Sequence, residues 1–245
     1  MKLIADLHTH TVASGHAYST LEEMARAARD AGLVAIAVTD HGPNIPGGPH
    51  RYYFGNLRVI PDILHGVAVL KGVEANIINY DGELDLPPDI LGRLDFVMAG
   101  FHIHTGYDGG TVEENTRAMI RALNNPYVDA VSHPGNPAYP VDIEAVVSAA
   151  MAAGKLIEIN NSSLTITRPH SDVNCFEFAR VARRLGARVV VGSDAHISTR
   201  VGGFDSAIEL ITRAGLTEEY VVNSSITRLQ DFFAGRGKNI VIPSS

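Results

Sequence analysis

Short apolar, β-branched runs recur along the chain at a regular interval, and segments of helical periodicity fill the gaps between them. The runs lie at Lys2–Asp6, Leu33–Thr39, Val67–Val73, Leu94–Ala99, Val128–Ser132, Lys155–Asn160 and Ala187–Gly192. Each is bounded by turn-forming residues, which predicts seven short buried strands. The gaps carry helix-end signals. Ser19-Thr-Leu-Glu22 reads as a capping box, with Gly32 closing that helix. Thr111-Val-Glu-Glu114 opens a second, Asp142 starts a third that stops at Gly154, and Gly186 ends one that begins near Asn174. His65 reads as the last turn of a helix, where its charge would favour the dipole.

Strands alternating with helices imply a parallel sheet covered by helices. Polar and metal-ligand-type residues recur at the C-terminal end of every predicted strand. An open sheet would concentrate them at one switch point, so a closed or nearly closed barrel is expected. No low-complexity linker divides the chain, and 1–245 is expected to be one domain. Gly42–Pro49 reads as a loop on the active face. The stretch 217–245 is expected to form a C-terminal cap or tail, with a helix at Ser225–Ala234 and a short apolar end at Ile240–Pro243.

Composition narrows the function. Of the 245 residues, 45% are hydrophobic and 19% charged, which excludes a disordered chain. The formal net charge is −7, and no basic run is longer than Arg183-Arg184, so long nucleic acid is not an expected partner. The single cysteine, Cys175, excludes an intrachain disulfide and a cysteine-based zinc site, and reads as a structural thiol. No apolar run approaches the roughly 18 residues of a membrane span. Asp6 falls where a secretory leader would be apolar, which points to the cytoplasm. Homo-oligomerisation stays open. The unusual number is 11 histidines, against lysine only at Lys2, Lys71, Lys155 and Lys238.

Those histidines gather at strand ends. In chain order the ends read Asp6-Leu-His8-Thr-His10 with His16 beyond, Thr39-Asp40-His41, Val73-Glu74, Phe101-His102-Ile-His104, Ser132-His133-Pro134, Glu158-Ile-Asn160 and Ser193-Asp194-Ala-His196. In extended chain, residues i and i+2 share a face, so His8 with His10, and Asp194 with His196, can both face a barrel mouth. One histidine at a strand end is usually no more than a hydrogen-bonded polar residue. Many desolvated imidazoles on one rim have no physical reason to coexist without a metal. Imidazole with carboxylate suits Zn, Mn or Fe. Arg51, Arg168 and Arg200 fall in predicted loops on the same face and can clamp a phosphate. His104 stands beside His102, His50 is a candidate pocket wall, and His170 is a loop residue.

The ordered set Asp6-x-His8-x-His10, His16, Thr39-Asp40-His41-Gly42, Glu74, His102, Ser132-His133-Pro134-Gly135 and Asp194-x-His196 resembles the PHP (polymerase and histidinol phosphatase) superfamily. Thr11–Thr20, Ala99-Gly-Phe-His102, Ser132–Asn136 and Glu158–Ser163 resemble more narrowly its YcdX-type probable phosphatases, over essentially the whole chain. The resemblance implies a distorted (β/α)7 TIM-like barrel with a trinuclear, usually zinc, centre. By it His8, His10, Glu74 and Asp194 would hold one ion. Glu74 would bridge to a second on His102 and His133, and His16, His41 and His196 would hold the third. Asp6 and Asp40 would orient ligands by hydrogen bonding. Three divalent ions would make a strongly cationic pocket in an acidic chain, as a phosphate monoester needs. The expected activity is a phosphatase in which a metal-bound hydroxide attacks phosphorus in line. The alternatives are a phosphodiesterase or exonuclease acting on nucleotides, a C–N hydrolase of amidohydrolase type, and a metal-binding protein without turnover. The amidohydrolase reading lacks its lysine, since none of the four lies near the fourth strand.

Overall fold

The computed structural model describes residues 1–243; the last two residues of the expected tail, Ser244 and Ser245, lie outside them. The strands are β1 (Ala5–Thr9), β2 (Ala35–Val38), β3 (Ile63–Leu64), β4 (Val67–Asn76), β5 (Phe96–Gly100), β6 (Ala130–Val131), β7 (Leu156–Asn160) and β8 (Val189–Gly192). The helices are α1 (Leu21–Asp30), α2 (Arg51–Asn56), α3 (Pro88–Leu91), α4 (Val112–Asn124), α5 (Ile143–Ala152), α6 (Ser171–Leu185), α7 (Asp205–Arg213) and α8 (Ile226–Gly235). The parallel strands run in the order β1-β2-β4-β5-β6-β7-β8, and β3 pairs with β4 from the side. Past the strand ends, a parallel bridge between Thr9 and Ala195 brings β1 back to β8. The result is a nearly closed seven-stranded α/β barrel, as the strand-end pattern predicts.

Alternation along the strands builds two apolar layers. Ile36, Val38, Val69, Val97, Val131, Ile157, Ile159 and Val191 pack outward in the core shared with the helices. Ala35, Ala37, Ala68, Leu70, Phe96, Met98, Leu156 and Val190 fill the barrel interior near the strand starts. There α8 closes the barrel with Leu229, Phe232 and Phe233. The interior file of β4 then changes character as it rises, from Ala68 and Leu70 through Gly72 to Glu74 and Asn76. The floor of the barrel is hydrocarbon and its mouth is polar.

A barrel of seven strands leaves a seam with unpaired backbone, and one side chain fills it. The buried Asn223 amide donates to Ala5 C=O and Val191 C=O, both at 2.8 Å. Its Oδ1 accepts from Val191 N–H at 3.2 Å, while its own carbonyl accepts from Ile4 N–H at 3.0 Å. Asn223 thus substitutes for part of an absent strand by offering a peptide-like donor and acceptor.

Five expectations shift. The capping box of α1 is Thr20 with Glu23, one residue later, because Ser19 Oγ is engaged by the Ser198 N–H. α6 begins at Ser171, earlier than Asn174, where Ser171 Oγ donates to Arg168 C=O. His65 is not helical: His65 and Gly66, at φ 52° and 83°, make a two-residue hairpin turn between β3 and β4. Its ring meets Glu22 of α1 instead. β1 starts later than Lys2 and runs through His8, whereas β4 runs on to Asn76, so Glu74 lies inside a strand paired with Met98 of β5. The tail helix forms as α8 with Ser225 as its N-cap. Among the described residues no helix is long and apolar enough to cross a membrane.

Replacing Asn223 by Ala leaves two carbonyls and one N–H unsatisfied inside the seam. The expected loss of stability is about 3 kcal/mol, read from the midpoint of urea unfolding at unchanged slope. A loss under about 0.5 kcal/mol would mean that the seam does not depend on this amide.

Candidate metal centre

The C-terminal strand ends converge their side chains on Glu74, which is fully buried. Its Oε2 lies 3.2 Å from His8 Nε2, 3.5 Å from His10 Nε2 and 2.9 Å from His41 Nδ1. Its Oε1 lies 2.6 Å from His133 Nε2 and 3.3 Å from His102 Nε2. Neither oxygen has a hydrogen-bond partner of acceptable geometry, and Asp194 Oδ1 also lacks one. Asp194 Oδ1 sits 3.3 Å from His10 Nε2 and 3.6 Å from His8 Nε2. Ligand atoms close enough to share an ion fall into overlapping groups: His8, His10 and Asp194; His10, His41 and His196; His41, Glu74 and His102. The His16 ring stacks at 5.0 Å from both His41 and His196, at the exposed mouth of the barrel. The structure therefore brings together all nine side chains of the expected ligand set, with His41 lying between the outer group and Glu74.

Local chain geometry makes this convergence feasible. The β1–β2 register shifts between Asp6 and Thr9. That bulge lets Leu7 pack in the interior core while the adjacent His8 ring also reaches inward to Glu74. Asp194 lies at φ 56°, so it and His196 reach the centre from a left-handed turn rather than by strand alternation. His133 at φ 32°, His104 at φ 64° and Arg168 at φ 49° share this strained backbone. Such residues persist where surrounding contacts over-determine them, and here they ring one mouth.

Hydrogen bonds fix which nitrogen of the His8, His10 and His196 rings faces the centre. His8 Nδ1 lies 2.6 Å from Glu158 Oε1; an ionised carboxylate only accepts, so Nδ1 donates there and Nε2 is the nitrogen turned to the centre. Ser14 Oγ donates to Asp40 Oδ1 at 2.6 Å, hence it accepts from His10 Nδ1 at 3.1 Å. His196 Nδ1 donates to Asp194 C=O at 3.0 Å. Asp40 is held in turn by Thr11 N–H, Thr11 Oγ1–H and the Tyr53 hydroxyl. Asp6 touches no ligand ring. It accepts from the backbone N–H of Ser193, Gly202 and His8, pinning the strands that carry the ligands.

Electrostatics show the same demand for positive charge. Burial opposes ionisation of His8, yet the Glu158, Glu74 and Asp194 carboxylates together hold its pKa well above the ordinary imidazole value. Burial also works against the charge on Glu74, but the His8, His102, His133 and His41 rings keep it well below the usual carboxylate range. His133 is pushed down to about 3 by burial and by the Arg168 guanidinium. His10 falls well below its usual value through burial and the neighbouring His41 and His196. Imidazole nitrogens, those of His10 and His133 kept neutral by burial, facing unsatisfied carboxylate oxygens form a donor set suited to divalent cations.

Of the predicted substrate contacts, Arg168 and His104 line the cavity over this centre. Arg168 Nη1 donates to Asp194 Oδ2 at 3.0 Å and to Ser163 Oγ at 3.1 Å. Arg200 lines an adjoining cavity that shares Thr167, Asp194 and His196. His50 and Arg51 are elsewhere. His50 caps the N-terminus of α2 by accepting from Tyr52 N–H, and both residues line a depression that none of the centre's residues borders. The same loop sends Ile45 and Pro46 to the cavity wall and carries His50 and Arg51 on beyond its rim. His170 is the left-handed N-cap of α6. Cys175 is buried against Gly135 and its thiol is pushed up to about 12 by burial, in keeping with a structural thiol.

Sequence reasoning passed over Glu158 and Ser14 as site residues. Glu158 also accepts from His133 N–H at 2.7 Å, so one carboxylate positions ligands from β1 and from the end of β6. Its signal was its place on the interior face of a strand, two residues before Asn160. Gly192, facing it on β8, leaves the room: a Cβ there would stand 2.3 Å from Glu158 Oε1 and 2.6 Å from His8 Cβ.

Comparison with known proteins gives a consistent neighbourhood. The PHP domain model matches residues 6–133. A probable phosphatase of Acetivibrio thermocellus is 52% identical over 98% of this chain and 99% of its own length. One from Shewanella oneidensis is 46% identical over 98% of this chain and 95% of its own. Among solved structures, histidinol phosphate phosphatase from Lactococcus lactis, crystallised with zinc, L-histidinol and phosphate, superposes with a TM-score of 0.66. That match has 20% identity and covers 89% of this chain and 95% of the other, a likeness of fold.

Glu158→Gln keeps the shape of the side chain and removes its charge behind His8. The affinity for zinc, measured by competition with a chromogenic chelator, is expected to fall about 10- to 100-fold with the fold intact by circular dichroism. Unchanged affinity would exclude a positioning role for this carboxylate.

Proposed function

The chain belongs to the PHP domain family, as an enzyme of its phosphatase kind, and from that premise we propose that it hydrolyses a small phosphate monoester at a centre of three divalent ions, zinc before manganese or iron. One observation carries the reading: the buried Glu74 carboxylate, whose two oxygens lack hydrogen-bond partners of acceptable geometry while imidazole nitrogens converge on them. A carboxylate so placed is costly unless cations compensate it.

In this reading His8, His10, Glu74 and Asp194 hold one ion. Glu74 is shared with a second on His102 and His133, and His16, His41 and His196 hold the third. When bound, such ions supply Lewis acidity toward a phosphoryl oxygen and lower the pKa of a water poised to attack phosphorus. The rest of the chemistry belongs to the chain. Glu158 and Ser14 keep the protons of His8 and His10 on Nδ1, so both rings present Nε2 inward. Asp40 holds Ser14 in place, and Asp6 holds the backbone of β1 against that following β8. Arg168 lies over Asp194 with its guanidinium toward the cavity, where it can exchange that contact for a non-bridging phosphate oxygen. The inner ligands are buried and the outer ones half-exposed, so a substrate enters from the His16 side and leaves bulk water behind.

Glu74→Gln is expected to reduce the metal content of native protein from about three ions to one or fewer, measured by elemental mass spectrometry. Turnover of p-nitrophenyl phosphate should drop on the order of 100-fold or more. His133→Ala should lose about one ion with a similar loss of rate. Three ions and full activity in the Glu74 variant would overturn the assignment.

A further inference from the structure

The mouth of the barrel encloses a cavity of about 600 Å³ over the metal-binding side chains. One wall is apolar: Ile45 and Pro46 from the loop after β2, Phe101 and Ile103 after β5, and Tyr139 beyond β6. The Phe101 and Tyr139 rings stack at 5.0 Å and are buried, so they back this wall while Pro46 and Ile103 stand exposed on it. The remaining wall is polar, with His104, Asn136, Thr167 and Arg168.

Charge on this lining is one-sided. Among the described residues Asp194 is the only carboxylate that borders the cavity. Its Oδ2 already accepts from Arg168 at 3.0 Å and from Asn160 at 3.2 Å, and its Oδ1 faces His8 and His10. Glu74 lies beneath the imidazoles, and Glu158 is committed to His8 and His133 N–H. Asp108, which bears on the Tyr139 hydroxyl, is exposed and does not line the cavity. An alkylammonium group entering here would meet a guanidinium and no free carboxylate, giving up its water without a partner.

We propose that the alcohol portion of the substrate carries no positive charge: hydrocarbon or ring surface against Ile45, Pro46 and Ile103, and an uncharged or anionic polar group toward Arg168. Aminoalkyl phosphates are discriminated against. This inference rests on the phosphatase reading. It sets the chain apart from its Lactococcus fold neighbour, whose crystals hold the amino alcohol L-histidinol.

The test uses zinc-loaded full-length protein and two matched pairs. kcat/KM is measured on L-histidinol phosphate and on its des-amino analogue. Affinity is measured by calorimetry for 3-aminopropylphosphonate and for butylphosphonate. The uncharged member is expected to win by at least about ten-fold in each pair. Asn136→Asp, which places a carboxylate in the cavity at nearly constant shape, should narrow both ratios by about three-fold or more. Equal or better use of the amine in the unsubstituted protein overturns the inference and leaves the phosphatase reading standing. If neither ester nor p-nitrophenyl phosphate is turned over, the phosphatase reading falls. The phosphonate pair then decides alone, and equal affinities reject the inference.

Discussion

The interaction on which this structure depends is the one Glu74 lacks. A fully buried carboxylate, its oxygens 2.6 to 3.5 Å from ring nitrogens of His8, His10, His41, His102 and His133, has no hydrogen bond of acceptable geometry to justify its burial. Asp194 and Glu158 add two more carboxylates around His8. Protonating His8 meets part of the deficit, which is why its pKa stands high despite burial. His10 and His133 are kept neutral, their lone pairs available, by that same burial.

The fold supplies a frame that gathers these side chains from the ends of β1, β2, β4, β5, β6 and β8, two or more of them from β1 and from β8. Hydrocarbon from the strand starts and α8 fills the lower barrel, so the polar groups above it are held apart from solvent on that side. Asn223 completes the seam that seven strands leave open. The bulge in β1 and the left-handed residues at His133, Asp194 and Arg168 bend the chain where regular strands would aim side chains away. Local strain is concentrated at the mouth and carried by the packed layers beneath it.

The same frame separates two kinds of polar residue. Those that face the cavity (Arg168, His104, Asn136) are available to a substrate. Those behind the rings (Glu158, Ser14, Asp40, Asp6) act only through the ligands or the backbone that bears them. Charge follows this division: negative groups are behind or committed, and the one cation on the cavity wall among the described residues is Arg168. A chain acidic overall thus presents a pocket biased toward anions.

Much of this was legible in the residues alone. Alternation and strand-end chemistry placed the seven parallel strands and the polar barrel mouth, and the family resemblance singled out the nine side chains now gathered around Glu74, although Asp194 and His196 arrive by a left-handed turn rather than by period. Local signals failed where contacts distant in sequence outweighed them. Ser19 left its cap role to Thr20 because Ser198 uses its hydroxyl, and His65 became a hairpin turn because β3 found β4. His50 and Arg51 fell outside the cavity because a loop's path is set by what it packs against. Glu158 and Ser14 went unread because a supporting role exists only once the ring it supports is in place. The sequence by itself determined the donor set and the strand ends that bear it, since these follow from residue type and period. Tertiary structure alone decided the seam amide, the tautomers and the charge of the cavity wall, since each is a relation between groups that only folding brings within a few ångströms.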